Sequence, residues 1–148
     1  ANPTEVLTGL GGHGVAGVYD SGRPGPTVLL RCELDGLPIE DMAATPWRSK
    51  IPGKGHQCGH DGHMATLALL AMSFGREGPA RGRVVLMFQP AEEDGSGAAA
   101  VVSDPAFAAI KPDWAFSIHN MPGKPRHGNG SKESVADTAR NEASAYSD

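Results

Sequence analysis

This 148-residue chain has few cysteines, no cluster of lysine and arginine, and no long apolar run. It has only two cysteines, Cys32 and Cys58, so a disulfide framework is improbable and we expect reduced thiols and a cytoplasmic setting. Its lysines and arginines form no cluster and the formal net charge is −4, which argues against a nucleic-acid partner and a polybasic membrane-binding face. The longest apolar run, residues 67–72, is far too short to span a bilayer, and the first residues do not resemble an export signal. These absences favour a soluble protein without either partner.

Glycine and proline, by contrast, are abundant, with twenty and twelve residues respectively, and this predicts many tight turns between short elements. The length fits one ordinary domain with a real core. Runs rich in β-branched and apolar residues predict strands, and apolar residues at helical spacing predict helices. The predicted strands are 15–19, 27–34, 83–89 and 113–119, and the predicted helices are 61–76 and 95–102.

The order of these elements favours an α/β fold. Strands alternate with helices, which predicts a three-layer αβα arrangement around a mostly parallel central sheet. The run at 83–89 is continuously apolar, as is 113–119 in large part, so we expect buried strands there, with 83–89 central. The first two strands are separated only by the turn-rich segment 20–26, and we expect them to form a strand pair.

The composition changes towards the end of the chain. Residues 1–123 form the predicted catalytic, metal-binding part. Residues 124–148 are polar, with a thin apolar stripe, and are interpreted as a weak helix or a disordered tail.

A cluster of cysteine and histidine, CGHDGH at residues 58–63, indicates metal binding. Cysteine and histidine suit zinc or another borderline divalent ion, and the glycines allow the backbone to turn closely. Glu92, Glu93 and His119 lie just past or at the carboxyl ends of predicted strands, where open parallel sheets bind ligands. We therefore expect Cys58, His60, Glu92, Glu93 and His119 to converge on one crevice.

Each of these residues also has a plain structural explanation. Cys58 could be a small buried apolar residue, His60 or His119 a hydrogen-bonded histidine, and residues 92–94 a solvated acidic turn. His63, three residues after His60, could face the same side of the helix and support the site, or be solvated. The combination at one edge of one sheet favours the functional interpretation.

The adjacent pair Glu92 and Glu93 suggests a division of labour. Neighbouring side chains of an extended chain point in opposite directions, so one carboxylate could bind metal while the other acts as a general base. A metal ion lowers the pKa of its bound water far below that of free water, to about 7, and the base then removes a proton as that water attacks a carbonyl. This is amide hydrolysis in outline.

A glycine pattern near the start of the chain resembles a nucleotide-binding motif but lacks the structural context of one. GLGGHG at residues 9–14 matches the literal dinucleotide-binding pattern, but we expect no strand before it and no helix after it. Since the phosphate of a dinucleotide sits on a helix N-terminus, we reject nucleotide binding here.

Four motifs together resemble a known family, the metal-dependent amidohydrolases that include auxin-conjugate hydrolases, hippurate hydrolases and N-acyl-amino-acid deacylases, relatives of the dinuclear carboxypeptidases and aminoacylases. The motifs are RCELDGLPIE at 31–40, GHQCGHDGH at 55–63, FQPAEE at 88–93 and SIHNMPG at 117–123. The resemblance covers residues 9–123. It implies a zinc-peptidase-like catalytic domain, incomplete here, without the lid or dimerisation domain of complete relatives.

The resemblance also implies roles for particular residues. Cys58, His60, Glu93 and His119 correspond to metal ligands, with Cys58 as a bridge between two ions. Glu92 corresponds to the general base, and Asp35 lies in a segment that supports the site. The implied cofactors are divalent ions, zinc, manganese, cobalt or nickel, two per site in complete relatives and one or none here. The implied partner is an N-acyl amino acid or peptide substrate, and a homo-oligomer is also expected.

Two other functions remain open at this stage. The chain could be a non-catalytic metal-binding or interaction domain derived from such a hydrolase, because the resemblance does not extend over all parts of the family. A purely structural zinc site is the third alternative, and it predicts that chelation unfolds the chain.

Overall fold

The computed structural model describes residues 2–120, and the predicted tail 124–148 lies outside the described residues. The strands are β1 Glu5–Leu10, β2 Gly14–Asp20, β3 Thr27–Glu33, β4 Arg83–Gln89 and β5 Trp114–Ser117. The helices are α1 His60–Glu77, α2 Gly97–Ser103 and a 3₁₀ helix at Pro105–Ile110. All six predicted elements are found within two residues of their expected bounds, although β5 is shorter than expected.

The strands form one mixed sheet in the order β1-β2-β4-β3-β5. β3 pairs in parallel with β4 on one side and with β5 on the other, whereas β2 pairs antiparallel with both β1 and β4. The predicted central position of β4 is confirmed. Its apolar run fits a strand that is hydrogen-bonded on both sides and covered on both faces.

Helices cover both faces of the sheet, which confirms the three-layer α/β fold. On one face, α1 packs over β2, β3 and β4 through a core that contains Tyr19, Cys32, Leu67 and Leu86. On the other face, α2 and the 3₁₀ helix pack through a core that contains Leu10, Ala16, Val18, Leu29, Val85, Met87, Val101 and Ile110. The alternation of side chains along each strand supplies both cores.

Three expectations about the strands were wrong. β2 and β3 do not form a strand pair, because β4 lies between them and pairs with both. A strand, β1, does precede the glycine pattern at 9–14, although the element that follows is the strand β2 and not a helix, so the rejection of a nucleotide site stands. β5 is not buried: it lies at the side of the sheet, and Trp114 and Phe116 are exposed.

Helix α1 begins at His60 directly after Gly59, whose φ of 92° is left-handed. Asp61 in the first turn and Arg76 in the last turn complement the helix dipole. The helix ends at Glu77, and the N–H of the next residue, Gly78, donates to the carbonyl of Phe74. No helix within residues 2–120 combines the length and the hydrophobicity that a membrane crossing requires.

A pair of leucines in α1 tests the core on this face. Leu67 is 2% exposed and Leu69 is 68% exposed. We expect Leu67→Ala to lower the free energy of unfolding by about 2–5 kcal/mol, because it leaves a cavity between α1 and the sheet. Leu69→Ala, the same change on the solvent side of the same helix, should stay within about 0.5 kcal/mol of the wild type. Urea denaturation followed by circular dichroism measures both, and equal losses would contradict this packing.

Candidate metal centre

The parallel part of the sheet brings three chain segments to one place. β3, β4 and β5 run in the same direction, so their carboxyl ends lie side by side. Asp35 follows β3, the pair Glu92 and Glu93 follows β4, and His119 follows β5. We call this side of the sheet the carboxyl edge. The amino end of α1 lies against it and adds His60.

His60 lies at the centre of this group of side chains. It is completely buried, and its Nδ1–H donates to the backbone carbonyl of Asp35 at 2.9 Å. Its Nε2 is also buried and has no hydrogen-bond partner among the described residues. Because the backbone carbonyl holds the proton on Nδ1, the lone pair of Nε2 is free to bind a cation.

Two carboxylates face this nitrogen. The Oε2 atom of Glu92 lies 3.6 Å from His60 Nε2, and the Oε1 atom of Glu93 lies 3.8 Å from it. The expectation that the two side chains point in opposite directions was wrong. Residues 92–95 form a turn and not an extended strand, and Ala91 before them has a φ of 51°. This turn directs both carboxylates towards His60.

Cys58 and His119 approach the centre from another side. The Sγ atom of Cys58 lies 3.4 Å from Nε2 of His119. The Nδ1–H of His119 donates to the backbone carbonyl of Asn120 at 2.7 Å. His119 therefore has the same arrangement as His60, with Nδ1 held by a backbone carbonyl and Nε2 directed into the site.

Asp35 links two of the other residues. Its Oδ2 atom accepts a hydrogen bond from the backbone N–H of Glu93 at 2.9 Å, and its backbone carbonyl accepts from His60. Its Oδ1 atom is buried without a partner among residues 2–120 and lies 3.6 Å from His60 Nδ1. Asp35 therefore ties the Glu92–Glu93 turn to the first residue of α1.

The site is rich in negative charge. Burial raises the pKa of the Cys58 thiol, and the nearby carboxylates of Glu93, Glu92 and Glu33 raise it further, with Glu93 also hydrogen-bonded to the thiol. A thiolate forms more readily beside a cation. Without one, burial and then the neighbouring carboxylates favour the protonated thiol.

These side chains can be grouped into sets of three that could hold a metal ion, each with ligand atoms within 4.8 Å of one another. One set is Cys58, His60 and His119, and another is His60, Glu92 and Glu93. His60 belongs to both, and its unpartnered Nε2 is the atom that a cation would satisfy. Sulfur, imidazole and carboxylate donors fit a borderline divalent ion. The structure thus brings together all five residues predicted from the sequence.

Three further residues lie behind the site: His63, for which the sequence left a supporting role open, and Glu33 and Asn120, which it did not single out. Glu33 and His63 are buried, and the Nδ1 atom of His63 lies 2.7 Å from Oε2 of Glu33. The solvated alternative for His63 was therefore wrong. Its position three residues after His60 on α1 is the signal that places both rings on one helix face. Asn120 contacts His63 from the segment after β5, and no local pattern predicts that contact.

Comparison with known proteins identifies the family. A family model described as peptidase family M20/M25/M40 matches residues 29–139, which is most of the chain. The chain belongs to this family. The resemblance inferred from the four motifs is confirmed, and the matched region extends past residue 123, where the resemblance was expected to stop.

Several curated relatives in this family are hydrolases of acylated amino acids. The hippurate hydrolase of Campylobacter jejuni is 39% identical over 118 residues, covering 80% of this chain and 30% of the relative. The N-acetyl-L-cysteine deacetylase of Bacillus subtilis is 39% identical over 123 residues, covering 81% of this chain and 27% of the relative. The IAA-amino acid hydrolase ILR1-like 5 of Arabidopsis thaliana is 39% identical over 112 residues, covering 74% and 25%.

A solved structure agrees with these relatives. The YXEP protein of Bacillus subtilis, described as a dinuclear metal binding peptidase from the M20 family, matches with a TM-score of 0.73 and 32% identity. The match covers 82% of this chain and 34% of that protein. The chain thus spans about a third or less of the length of these relatives. Divalent metal ions are the cofactor class that the family supports.

The two cysteines give a test of this site. Cys32 is fully buried and its pKa is raised to about 12, chiefly by burial, so only the half-buried Cys58 should react with a thiol reagent in the folded protein. We expect one thiol to be modified, faster as the pH rises, and two in urea. Zinc should slow the reaction of Cys58, because a metal-bound sulfur is not free to attack. Mass spectrometry of the modified peptides measures this, and a rate indifferent to zinc would remove Cys58 from the site.

Proposed function

We propose that this chain contributes the metal centre of an amidohydrolase that cleaves the amide bond of N-acyl amino acids or related small amides and peptides. The observation that carries the proposal is the buried Nε2 atom of His60. It has no partner among the described residues and faces the carboxylates of Glu92 and Glu93. Burying a polar nitrogen without a partner costs free energy, and such an atom calls for an explanation, which a bound cation provides.

In this proposal Cys58, His60, Glu93 and His119 hold the divalent ion. Zinc, manganese, cobalt and nickel all suit this donor set, and availability decides among them. The description of the YXEP protein as dinuclear supports a place for a second ion, which Cys58 would help to hold. When bound, the metal supplies Lewis-acid chemistry, polarising the amide carbonyl and lowering the pKa of water.

Glu92 is the proposed general base. Glu93 is restrained by two contacts, its backbone N–H to Asp35 and its carboxylate to the Cys58 thiol, which suits a ligand. The Glu92 carboxylate makes no hydrogen bond within residues 2–120 and lies within 3.6 Å of His60 Nε2. It can therefore take a proton from the attacking water and deliver it to the departing amine, as a general base and acid does.

The proposed substrate class follows the curated relatives, whose names specify hippurate, N-acetyl-L-cysteine and amino-acid conjugates of IAA. In each case an acyl group is joined to an amino acid or a related amine. A homo-oligomer and a cytoplasmic location, expected from the sequence, stay predictions.

Glu92→Gln tests the general base. We expect the variant to bind metal as the wild type does and to lose hydrolysis of N-acetyl and N-benzoyl amino acids by at least about 100-fold, because an amide cannot accept the proton. Asp94→Asn is the matched control: it makes the same acid-to-amide change in the same turn, but its carboxylate accepts hydrogen bonds from Ser96 and takes no part in the site. Metal content by elemental analysis and amine release measure the two properties.

The outcomes separate the proposal from its alternative. Full activity in Glu92→Gln would reject Glu92 as the base. A wild-type chain that binds stoichiometric metal and hydrolyses none of these substrates would favour the non-catalytic metal-binding domain. Hydrolysis by the wild type would refute that alternative.

Chelation distinguishes a catalytic site from a structural zinc. The two cores on either face of the sheet are built from side chains other than the proposed ligands, so we expect the metal-free chain to stay folded. Zinc at 100 times its dissociation constant should add about 2.7 kcal/mol to the free energy of unfolding by mass action. Thermal denaturation with zinc and with a chelator measures this, and unfolding on chelation at room temperature would support a structural zinc.

A further inference from the structure

A series of hydrogen-bonded polar side chains lies behind the candidate metal centre. Glu33, at the end of β3, has no exposed surface, and its Oε1 atom accepts a hydrogen bond from the guanidinium of Arg31. Arg31 in turn donates through Nε to the side-chain carbonyl of Gln89 on β4 at 2.9 Å. A buried carboxylate requires such a partner, because a buried charge that is left unpaired is strongly destabilising. Glu33 is therefore rigidly held.

His63 extends this series of hydrogen bonds towards the surface. Its Nδ1 atom lies 2.7 Å from Oε2 of Glu33, and its Nε2 atom lies 2.6 Å from the side-chain oxygen and 3.2 Å from the backbone nitrogen of Asn120. The backbone carbonyl of Asn120 accepts the Nδ1–H of His119. The rings of His63 and His119 also touch directly, with centroids 4.9 Å apart. His63 thus contacts His119 both directly and through Asn120.

Gly59 allows Asn120 to approach this closely. A Cβ atom at position 59 would lie 2.5 Å from the side-chain oxygen of Asn120, and the left-handed φ of 92° also disfavours any other residue. The segment after β5 is thereby anchored to the start of α1. Without this anchor, an exposed residue such as His119 at the end of a short strand would have few restraints.

The same residues admit a second interpretation. Glu33, His60 and His63 have atoms close enough to hold a metal ion, as a third set within 4.8 Å. However, one oxygen of Glu33 is bonded to Arg31 and the other to His63, and both nitrogens of His63 have partners. A cation placed there would have to break these bonds and would lie beside the positive guanidinium. The contacts therefore favour a supporting role over a further ion site.

We propose that His63 is a positioning residue, held by the Arg31–Glu33 pair, that fixes the orientation of His119 and so directs His119 Nε2 towards Cys58. This inference rests on the proposed function, since it concerns how a ligand of that metal centre is held. It assigns His63 no contact with substrate or metal. Groups that orient a metal-ligating histidine commonly change metal affinity by about 10–100-fold when they are substituted.

The test compares zinc affinity in variants of the purified 148-residue chain, measured by competition with a chromophoric chelator. His63→Phe keeps a ring in the buried site but loses both hydrogen bonds, and we expect zinc affinity to fall about 10–100-fold. Asn120→Ala removes one hydrogen bond of the same series at an exposed position, where folding is scarcely affected. It should lower zinc affinity by about tenfold. Gln57→Ala is the control, because it removes an exposed amide next to Cys58 whose hydrogen bond goes to Glu40.

A second comparison separates positioning from a general loss of structure. If His63 acts through His119, then adding His63→Phe to His119→Ala should change zinc affinity by less than about twofold, since the residue that it orients is gone. A structural role would lower affinity by the same factor in both backgrounds. Urea denaturation of the metal-free variants shows whether they fold, and Asn120→Ala carries the same comparison where His63→Phe does not.

Each outcome gives a decision. Unchanged affinity in both His63→Phe and Asn120→Ala, or an equal loss with and without His119, overturns the positioning role. If affinity is unchanged in these variants but lost in His60→Ala, only the positioning role fails and the proposed metal centre stands. A wild-type chain that binds no zinc, or binds it as tightly after His60→Ala, overturns the proposed function itself.

Discussion

The parallel pairing of β3 with β4 and β5 is the constraint on which the candidate site depends. Parallel neighbours end on the same side, so three segments that are distant in sequence leave the sheet together. This geometry alone brings three parts of the chain within reach of His60. They are Asp35, the turn that contains Glu92 and Glu93, and His119. The antiparallel strands β1 and β2 extend the sheet and its core on the far side of β4, and they add no residue to the site.

How far the sequence predicts this structure depends on how local the signal is. The apolar run of β4 and the helical spacing of α1 are local, and both elements were found where expected. β1 was missed because it is largely exposed, with Glu5 and Thr8 in place of a continuous apolar run. The position of β4 between β2 and β3 could not be deduced from the turn that joins them, since strand order is set by contacts far apart in the chain.

The same distinction applies to the site. Cys58, His60, Glu92, Glu93 and His119 could be proposed because each belongs to a short motif. Glu33 and Asn120 also lie within the quoted motifs, but their contacts with His63 could not be predicted, because that histidine lies 30 residues after one and 57 residues before the other. The expectation that the two glutamates point in opposite directions was wrong because the chain leaves its extended form at Ala91, one residue before Glu92.

The distribution of charge gives the carboxyl edge its chemical character. Glu33 is already paired within the protein, since Arg31 contacts one of its oxygens and His63 the other. Glu92 and Glu93 face the Nε2 atom of His60, which has no hydrogen-bond partner among the described residues, and lie beside the Cys58 thiol, whose pKa is raised by burial and then by their charge. Glu33 is thus paired with a cation within the fold, whereas Glu92 and Glu93 have no comparable cation among their described neighbours. A divalent ion would resolve this imbalance by placing positive charge beside both carboxylates and the thiol, while the paired Glu33 keeps the supporting histidine in place.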